Sequence, residues 1–248
     1  MSRIPDPTAK ISLLRAAEAV FAEHGVAGAK VEDITRRAGL SKGAFYLHFK
    51  SKEEALKQVA ESFLARCGGH FRDPPGSSGP GGSLELTDVD PDDPVELLAR
   101  WHELDLGAFE FLWQNRATLA ILSGCQGTSD LQYLMLAFHE EMHQMSQRWG
   151  RFFKERGLYR ARVDEELAAT LVCGAYNELV RRMLASPKRP PFERWLLETE
   201  DVFVRGLGTP RLVEALEVWR GDGVDADPER KRSKRKRRSV SGAAETGE

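Results

Sequence analysis

Residues 31–50 contain two helical patterns of about eight residues, separated by Gly39-Leu40-Ser41. Few folds accommodate such a pair. Helices this short do not persist by themselves in water and must be pinned by packing. Val31, Ile34, Ala38 and Leu40 supply the apolar side of the first, and Phe45 and Phe49, four residues apart, turn one face of the second inward. Ser41 stands where an N-cap is needed, and Ser51-Lys52-Glu53-Glu54 has the spacing of a capping box that opens a further helix. The outward face of the second short helix then carries Lys42, Ala44, Tyr46 and His48, with Lys50 and Lys52 just beyond. Two short helices joined by a glycine-containing turn place the second in a DNA major groove, and an outer face of cations, hydrogen-bonding aromatics and one small residue suits phosphates and base edges. Gly43 would let the backbone approach the duplex.

The rest of the chain repeats the helical period. A first helix is expected from Asp6-Pro7 to Gly25, with Ile11, Leu14, Ala17 and Phe21 as its apolar face and His24-Gly25 as its stop. The fourth runs from Ser51 to about Arg66. Residues 68–93 turn to Gly, Pro, Ser and Asp without periodicity and read as a flexible loop that leaves the far end of the fourth helix free. Helical patterns resume at 94–116, 119–122, 130–156, 164–184, 192–207 and 212–219, and strand alternation is absent from the sequence. The expected fold is all-α: an N-terminal three-helix helix-turn-helix domain (1–66, motif 31–50), joined by a connecting helix to a C-terminal helical ligand-binding and dimerisation domain (67–220). A disordered tail (221–248) is expected to follow.

Charge is distributed unevenly along that plan. Residues 1–66 carry 11 Lys+Arg against 8 Asp+Glu, residues 67–229 carry 17 against 28, and residues 230–248 carry 8 against 2, the cations of this last part all lying in 230–238. A chain of which one part meets a polyanion and the middle does not would be built this way. The sequence lacks an apolar run of the ~18 residues a membrane span needs, and its N-terminus lacks the apolar core of a secretory signal. A cytoplasmic location without membrane association is therefore expected. Cys67, Cys125 and Cys173 are scattered and unpaired in any zinc-ligand spacing, which reads as three reduced thiols.

The stretch from Gly25 to Leu56, above all Asp33-Ile34 and the run from Ala38-Gly39-Leu40-Ser41-Lys42-Gly43-Ala44-Phe45-Tyr46 through Leu47-His48-Phe49-Lys50-Ser51-Lys52 to Glu53-Glu54-Ala55-Leu56, closely resembles the TetR family. The resemblance covers about the first quarter of the chain. It implies a dimeric all-helical regulator in which Ser41, Lys42, Ala44, Tyr46, His48 and Lys52 touch phosphates or base edges, and in which repression is the usual mode. Ala29 stands where the family commonly has Thr or Ser, which removes a cap and a phosphate-contacting hydroxyl, with Lys30 as the substitute. The candidate DNA-binding residues are Lys30, Arg36, Ser41, Lys42, Gly43, Ala44, Tyr46, His48, Lys50 and Lys52. The expected partners are a palindromic double-stranded operator, a small-molecule effector and a second copy of the chain; no cofactor is expected.

Two helices near the C-terminus suit the dimer. Residues 164–184 carry Leu167, Leu171, Ala175, Leu179 and Met183, with the small Ala168 and Gly174, and residues 192–207 add Trp195, Leu196, Val202 and Phe203. Taken twice, they make a four-helix interface. The middle helices are rich in large side chains that suit an apolar pocket. The candidate effector-binding residues are Trp101, His102, Phe109, Trp113, Gln126, Phe138, His139, Met142, His143, Tyr176 and Asn177.

One pattern points elsewhere. His139-Glu140-Glu141-Met142-His143 satisfies H-E-x-x-H, whose two histidines can bind zinc while the glutamate activates water. A zinc hydrolase would need a third ligand, for which Glu165 or Glu166 is within reach, and a substrate-binding strand, which the sequence does not supply. A second alternative keeps the regulator and lets His139 and His143 bind a metal inside the sensor domain. The favoured reading has both histidines at the edge of a stripe formed by Leu131, Leu134, Met135, Phe138, Met142, Met145 and Trp149, with no enzymatic role and no metal.

Overall fold

The computed structural model describes residues 6–76, 85–124 and 129–221. Gln126, Cys125, the centre of the expected loop and the basic run 230–238 lie outside the described residues. The described chain forms α1 (Pro7–Gly28), α2 (Val31–Ala38), α3 (Lys42–His48), α4 (Lys52–Gly68), α5 (Pro94–Gln114), α6 (Arg116–Gly124), α7 (Ser129–Glu155), α8 (Glu165–Ala185), α9 (Phe192–Leu207) and α10 (Pro210–Trp219). Among the described residues there is no strand, and only the isolated bridges Asp73 to Glu85 and Tyr159 to Gly208 appear. The all-α fold is as expected.

The ends of these helices follow local chemistry. The Asp6 carboxylate accepts from Thr8 N at 2.9 Å, and Pro7 occupies the first turn, where its missing N–H is harmless. Gly25, at φ 67° and ψ 169°, interrupts α1 at the expected stop, and one further turn follows. The apolar face of α1 is centred differently from expectation: Leu13, Ala16, Ala17, Val20 and Phe21 are buried, Leu14 is half-buried and Ile11 is exposed. The reason is that α2, α3, α4 and α6 all pack on α1, so the buried stripe is set by four neighbours together. α2 opens at Lys30, its N-cap residue, without a side-chain cap, so the uncapped position is 30, while Ala29 closes α1; Glu32 and Asp33 in the first turn of α2 oppose the positive end of its dipole. It closes at Gly39, whose φ of 68° is readily reached only by glycine, with Leu40 N donating to Thr35 O at 2.9 Å.

α5 is the central element and touches α4, α6, α8, α9 and α10. One apolar cluster runs without a break from Leu13, Phe45 and Phe63 to Phe109, Leu119 and Phe192, so the N-terminal helices share a core with the body. A second cluster joins the start of α5 and the end of α7 to α9 and α10 through Leu97, Phe153, Val204 and Leu216. α4 extends through the expected division at residue 66 and buries Cys67.

The segment after α4 departs from its reading as a flexible loop. His70 packs on Phe111 with ring centroids 4.7 Å apart, and Phe71 meets Phe138. Trp149 Nε1 donates to Arg72 O at 2.8 Å, and Arg148 Nε donates to the fully buried Asp73 carboxylate at 2.6 Å. Leu86 is buried and its N–H donates to Asp73 O at 2.9 Å. Composition concealed this because the contacts come from α5 and α7, far along the chain. The far end of α4 is therefore tied to the body.

Candidate nucleic-acid interface and effector cavity

Phe45 and Phe49 are fully buried, their ring centroids 5.2 Å apart, which fixes the rotation of α3. That rotation leaves Tyr46 56% exposed and puts Lys42, Gly43 and Lys50 on the surface. Ser41 Oγ accepts from Ala44 N at 3.1 Å and caps the helix; it keeps its own O–H to donate. Lys42 is held by Glu32 of α2 and Arg36 by Asp33, ion pairs on exposed groups that a phosphate can replace. Lys30 is exposed, and His48 and Ala44 are half-buried at the edge of the face.

Lys52 is placed differently from its expected role. Its Nζ donates to Val26 O at 2.8 Å, Ala29 O at 3.1 Å and Ala27 O at 3.3 Å, satisfying carbonyls left free at the end of α1. The half-buried ammonium thus joins the start of α4 to α1. The Ser51 cap forms, with Glu54 N donating to Ser51 Oγ at 3.3 Å, while the Glu54 carboxylate reaches one residue past the N-cap of the expected capping box and accepts from Lys50 N at 2.6 Å.

The body encloses a cavity of about 730 Å³. Phe63, Leu64 and Cys67 of α4 form one wall, and α5, α7 and α8 form the others. Eight of the expected effector-binding residues line it: Trp101, Phe109, Phe138, His139, Met142, His143, Tyr176 and Asn177. The exposed lining residues all lie on α7 and α8, among them Leu136, His139, Glu140, Thr170 and Asn177, so the mouth opens between these two helices.

Two expected lining residues lie elsewhere. His102 turns away from the cavity and bonds through Nδ1 to Glu200 at 2.9 Å, against Trp219. Trp113 packs on Phe192 and carries Arg116 over its ring, 4.2 Å from the centroid. Both sit on α5, one face of which lines the cavity while others pack on α9, α10 and α6, a division that periodicity alone does not resolve.

Asp105 was absent from the expected set. It sits on the cavity-lining face of α5, four residues after Trp101 and three before Ala108, and accepts a hydrogen bond from the Tyr176 hydroxyl. Burial and the nearby Glu200 push its carboxyl up to about 8, against hydrogen bonding from Tyr176 and Trp101. Its sequence signal was a lone acid on an otherwise apolar stripe of Leu98, Trp101, Ala108 and Leu112. Glu200 interrupts the stripe of α9 in the same way, between Leu196 and Val204.

His139 and His143 lie at the mouth, and His143 Nε2 is 3.1 Å from Thr170 Oγ1. Among the described residues no three His, Cys, Asp or Glu side chains converge to hold a metal ion. Glu165 faces Arg151 and Lys154 at 3.6 and 3.4 Å, and the histidine pair gains no third protein ligand from it. Burial raises the thiol of Cys67 to about 12 and that of Cys173 in the same direction, which makes both poor nucleophiles. No helix among the described residues is long and apolar enough to cross a membrane.

Comparison with known proteins agrees with this geometry. The family model for bacterial regulatory proteins of the tetR family matches residues 13–59. The HTH-type transcriptional repressor KstR2 of Mycobacterium tuberculosis is 41% identical over 61 residues, 25% of this chain and 30% of its own length. The uncharacterized HTH-type regulator YerO of Bacillus subtilis is 40% identical over 55 residues, 22% of this chain. The matched part thus spans less than a third of either relative, 19% in the case of YerO. Over most of the chain the likeness is one of fold. SmeT, described as the repressor of a Stenotrophomonas maltophilia multidrug efflux pump, superposes with a TM-score of 0.60 at 23% identity, covering 82% of this chain and 92% of SmeT. NalD of Pseudomonas aeruginosa gives 0.58 at 20%, covering 82% and 97%. The helix-turn-helix segment, residues 13–59, thus matches the tetR family of bacterial regulatory proteins, and the rest of the chain shares the all-helical architecture of SmeT and NalD.

Proposed function

We propose that this chain is a cytoplasmic, homodimeric transcriptional repressor, without enzymatic activity, that leaves its DNA operator when a small molecule occupies the cavity. The observation that carries this reading is the single helix α4, which serves both sites. At its start, Lys52 and the Ser51 cap hold the DNA-reading helices; near its end, Phe63, Leu64 and Cys67 form a cavity wall. The functional division is then 1–66 for DNA and 67–220 for effector and dimer, with the connecting helix shared. The DNA contacts are made by Lys30, Arg36, Ser41, Lys42, Gly43, Ala44, Tyr46, His48 and Lys50, and Lys52 acts by positioning.

Dimerisation is supported by an outward apolar face. Leu167 and Leu171 on α8 and Val202 on α9 are each more than half exposed, and open space surrounds Gly174 and Gly206, which permits close approach of another helix. Two recognition helices about 34 Å apart would read a palindrome, and a ligand that displaces α4 changes their separation. Because the end of α4 is strapped to α7, the ligand acts by rearranging that anchorage. Relatives called repressors and a neighbour described as a SmeT–triclosan complex are consistent with this mode.

Footprinting on DNA that the protein selects from a random-sequence pool tests the reading. The double substitution Tyr46→Ala, Lys42→Ala should abolish protection while helicity and dimerisation persist. Protection of the same site at the same protein concentration would overturn the assignment of α3.

A further inference from the structure

We infer that Asp105 is the anchor for a cationic effector, and that the ligands this cavity takes are apolar or aromatic molecules bearing one ammonium group. This deepens the regulator reading and rests on it. The Tyr176 hydroxyl donates to Asp105, and the Trp101 side chain beside it also favours the charged form of that carboxyl. The Tyr176 donor is thereby engaged, and the anchor, once it gives up its own proton, offers an incoming ligand only acceptor lone pairs. The complementary ligand group is electropositive, and next to a carboxyl that can ionise the best partner is a cation.

Among the described residues no cation is paired with Asp105, and the one guanidinium that lines the cavity, Arg72, is turned to backbone carbonyls. The groups that face Asp105 are Tyr176 of α8, Glu200 of α9 and, on its own helix, Trp101, with His102 one turn away and turned toward Glu200. At the cavity wall after α4, His70 is lowered by burial and by Arg72 and so is neutral near pH 7, while the Arg72 guanidinium donates to the backbone carbonyls of Gly69 and Phe71. The charged groups facing in from α7 and α8 are Glu140 and Glu166, both acidic and both at the mouth, beside His139 and His143. The walls suit a cation as well. Trp101, Phe109 and Tyr176 border the site, the last two with ring centroids 6.1 Å apart, and ring faces attract a desolvated ammonium.

Charge balance gives the proposal a signature. With its carboxyl near 8, Asp105 holds its proton in the empty protein at pH 7. A bound cation favours the carboxylate, so the proton passes to buffer as the ion pair forms. Affinity for a cation that cannot itself titrate should therefore rise about tenfold per pH unit below pH 8 and level off above it.

The test uses the full chain and two probes of one shape: naphthylmethyl trimethylammonium and its uncharged carbon isostere, neopentylnaphthalene. Calorimetry at pH 7 in buffers of different ionisation enthalpy should show the cation binding at least tenfold more tightly, with release of close to one proton. Asp105→Asn should remove both the preference and the proton release, and its thermal unfolding checks that it folds. Equal affinity for the two probes in the unaltered protein, or cation binding without proton release, would overturn the inference, and neither outcome requires the variant. Selection from random-sequence DNA, run on the same preparation, keeps the two readings apart. Specific DNA released equally by both probes would refute the cation anchor alone, whereas failure to select any DNA would refute the regulator.

Discussion

α3 and α7 solve opposite problems. The seven residues of α3 include the fully buried Phe45, and the next residue, Tyr46, is 56% exposed. Its face is fixed by packing, so what it presents outward is fixed too. α7 has 27 residues, yet none from 132 to 149 is buried: it packs on α8 and α4, but part of its surface borders the cavity and part meets solvent. Rigid packing suits a surface that must match DNA at one spacing, and sparse packing suits a wall that must move when a ligand enters.

Large-to-small substitutions should separate the two regions most clearly. Phe45→Ala removes a fully buried ring and should cost about 3–5 kcal/mol with loss of all DNA binding, whereas Phe138→Ala, half-buried at the cavity, should cost about 1 kcal/mol or less. Denaturant unfolding of both variants measures this, and equal losses would break the comparison.

The next effect is electrostatic and has a definite sign. An acid raised from 3.8 to about 8 holds its proton in the folded protein over a range where the unfolded chain has lost it. Stability should therefore fall as pH rises from about 4 to about 8. Asp105→Asn should relieve this at pH 9 by a few kcal/mol, on the order of 2–4, and change little at pH 4. Unfolding free energies of both proteins across this range check the prediction; a gain independent of pH would point to packing instead.

On the DNA side the effects are smaller and fall on affinity, not stability. Tyr46→Ala should weaken operator binding by about tenfold to a hundredfold with the unfolding midpoint unmoved. Lys42→Ala should weaken it less and flatten the salt dependence by about 0.9, the loss of one phosphate contact. Binding isotherms at several salt concentrations distinguish the two. An unchanged slope for Lys42→Ala would leave its charge paired to Glu32 even on DNA.

The smallest change tests Gly174 of α8, which is exposed near Leu171 and also borders the cavity mouth. Gly174 lies inside a helix with open space around its Cβ position, so Gly174→Ala should stabilise the chain by about 0.5–1 kcal/mol. If another copy packs there, the added methyl should also weaken dimerisation, which sedimentation at graded concentrations reads. Unaltered dimerisation would place the interface elsewhere.

The sequence by itself determined the elements whose rules are local. Ser41, the Gly39 turn, the cap at Ser51 and the pair Phe45 and Phe49 act within one or two turns of chain, so α2, α3 and the outward position of Tyr46 could be read from them. The helices from α5 to α10 followed from periodicity in the same way, with ends shifted by a few residues at most. Only the tertiary structure decided matters that depend on partners distant in sequence. Lys52 has the pattern of a phosphate contact, yet the end of α1 offers three free carbonyls within its reach. Residues 69–76 have loop composition, yet Arg148 and Trp149, some 75 residues later, hold them down. His102 and Trp113 look like pocket residues, and Asp105 reads only as a lone acid on an apolar stripe, until the neighbours of α5 assign each of its faces. A helix has several sides, and periodicity shows that one is apolar without showing which neighbour, cavity or solvent each of the others will meet.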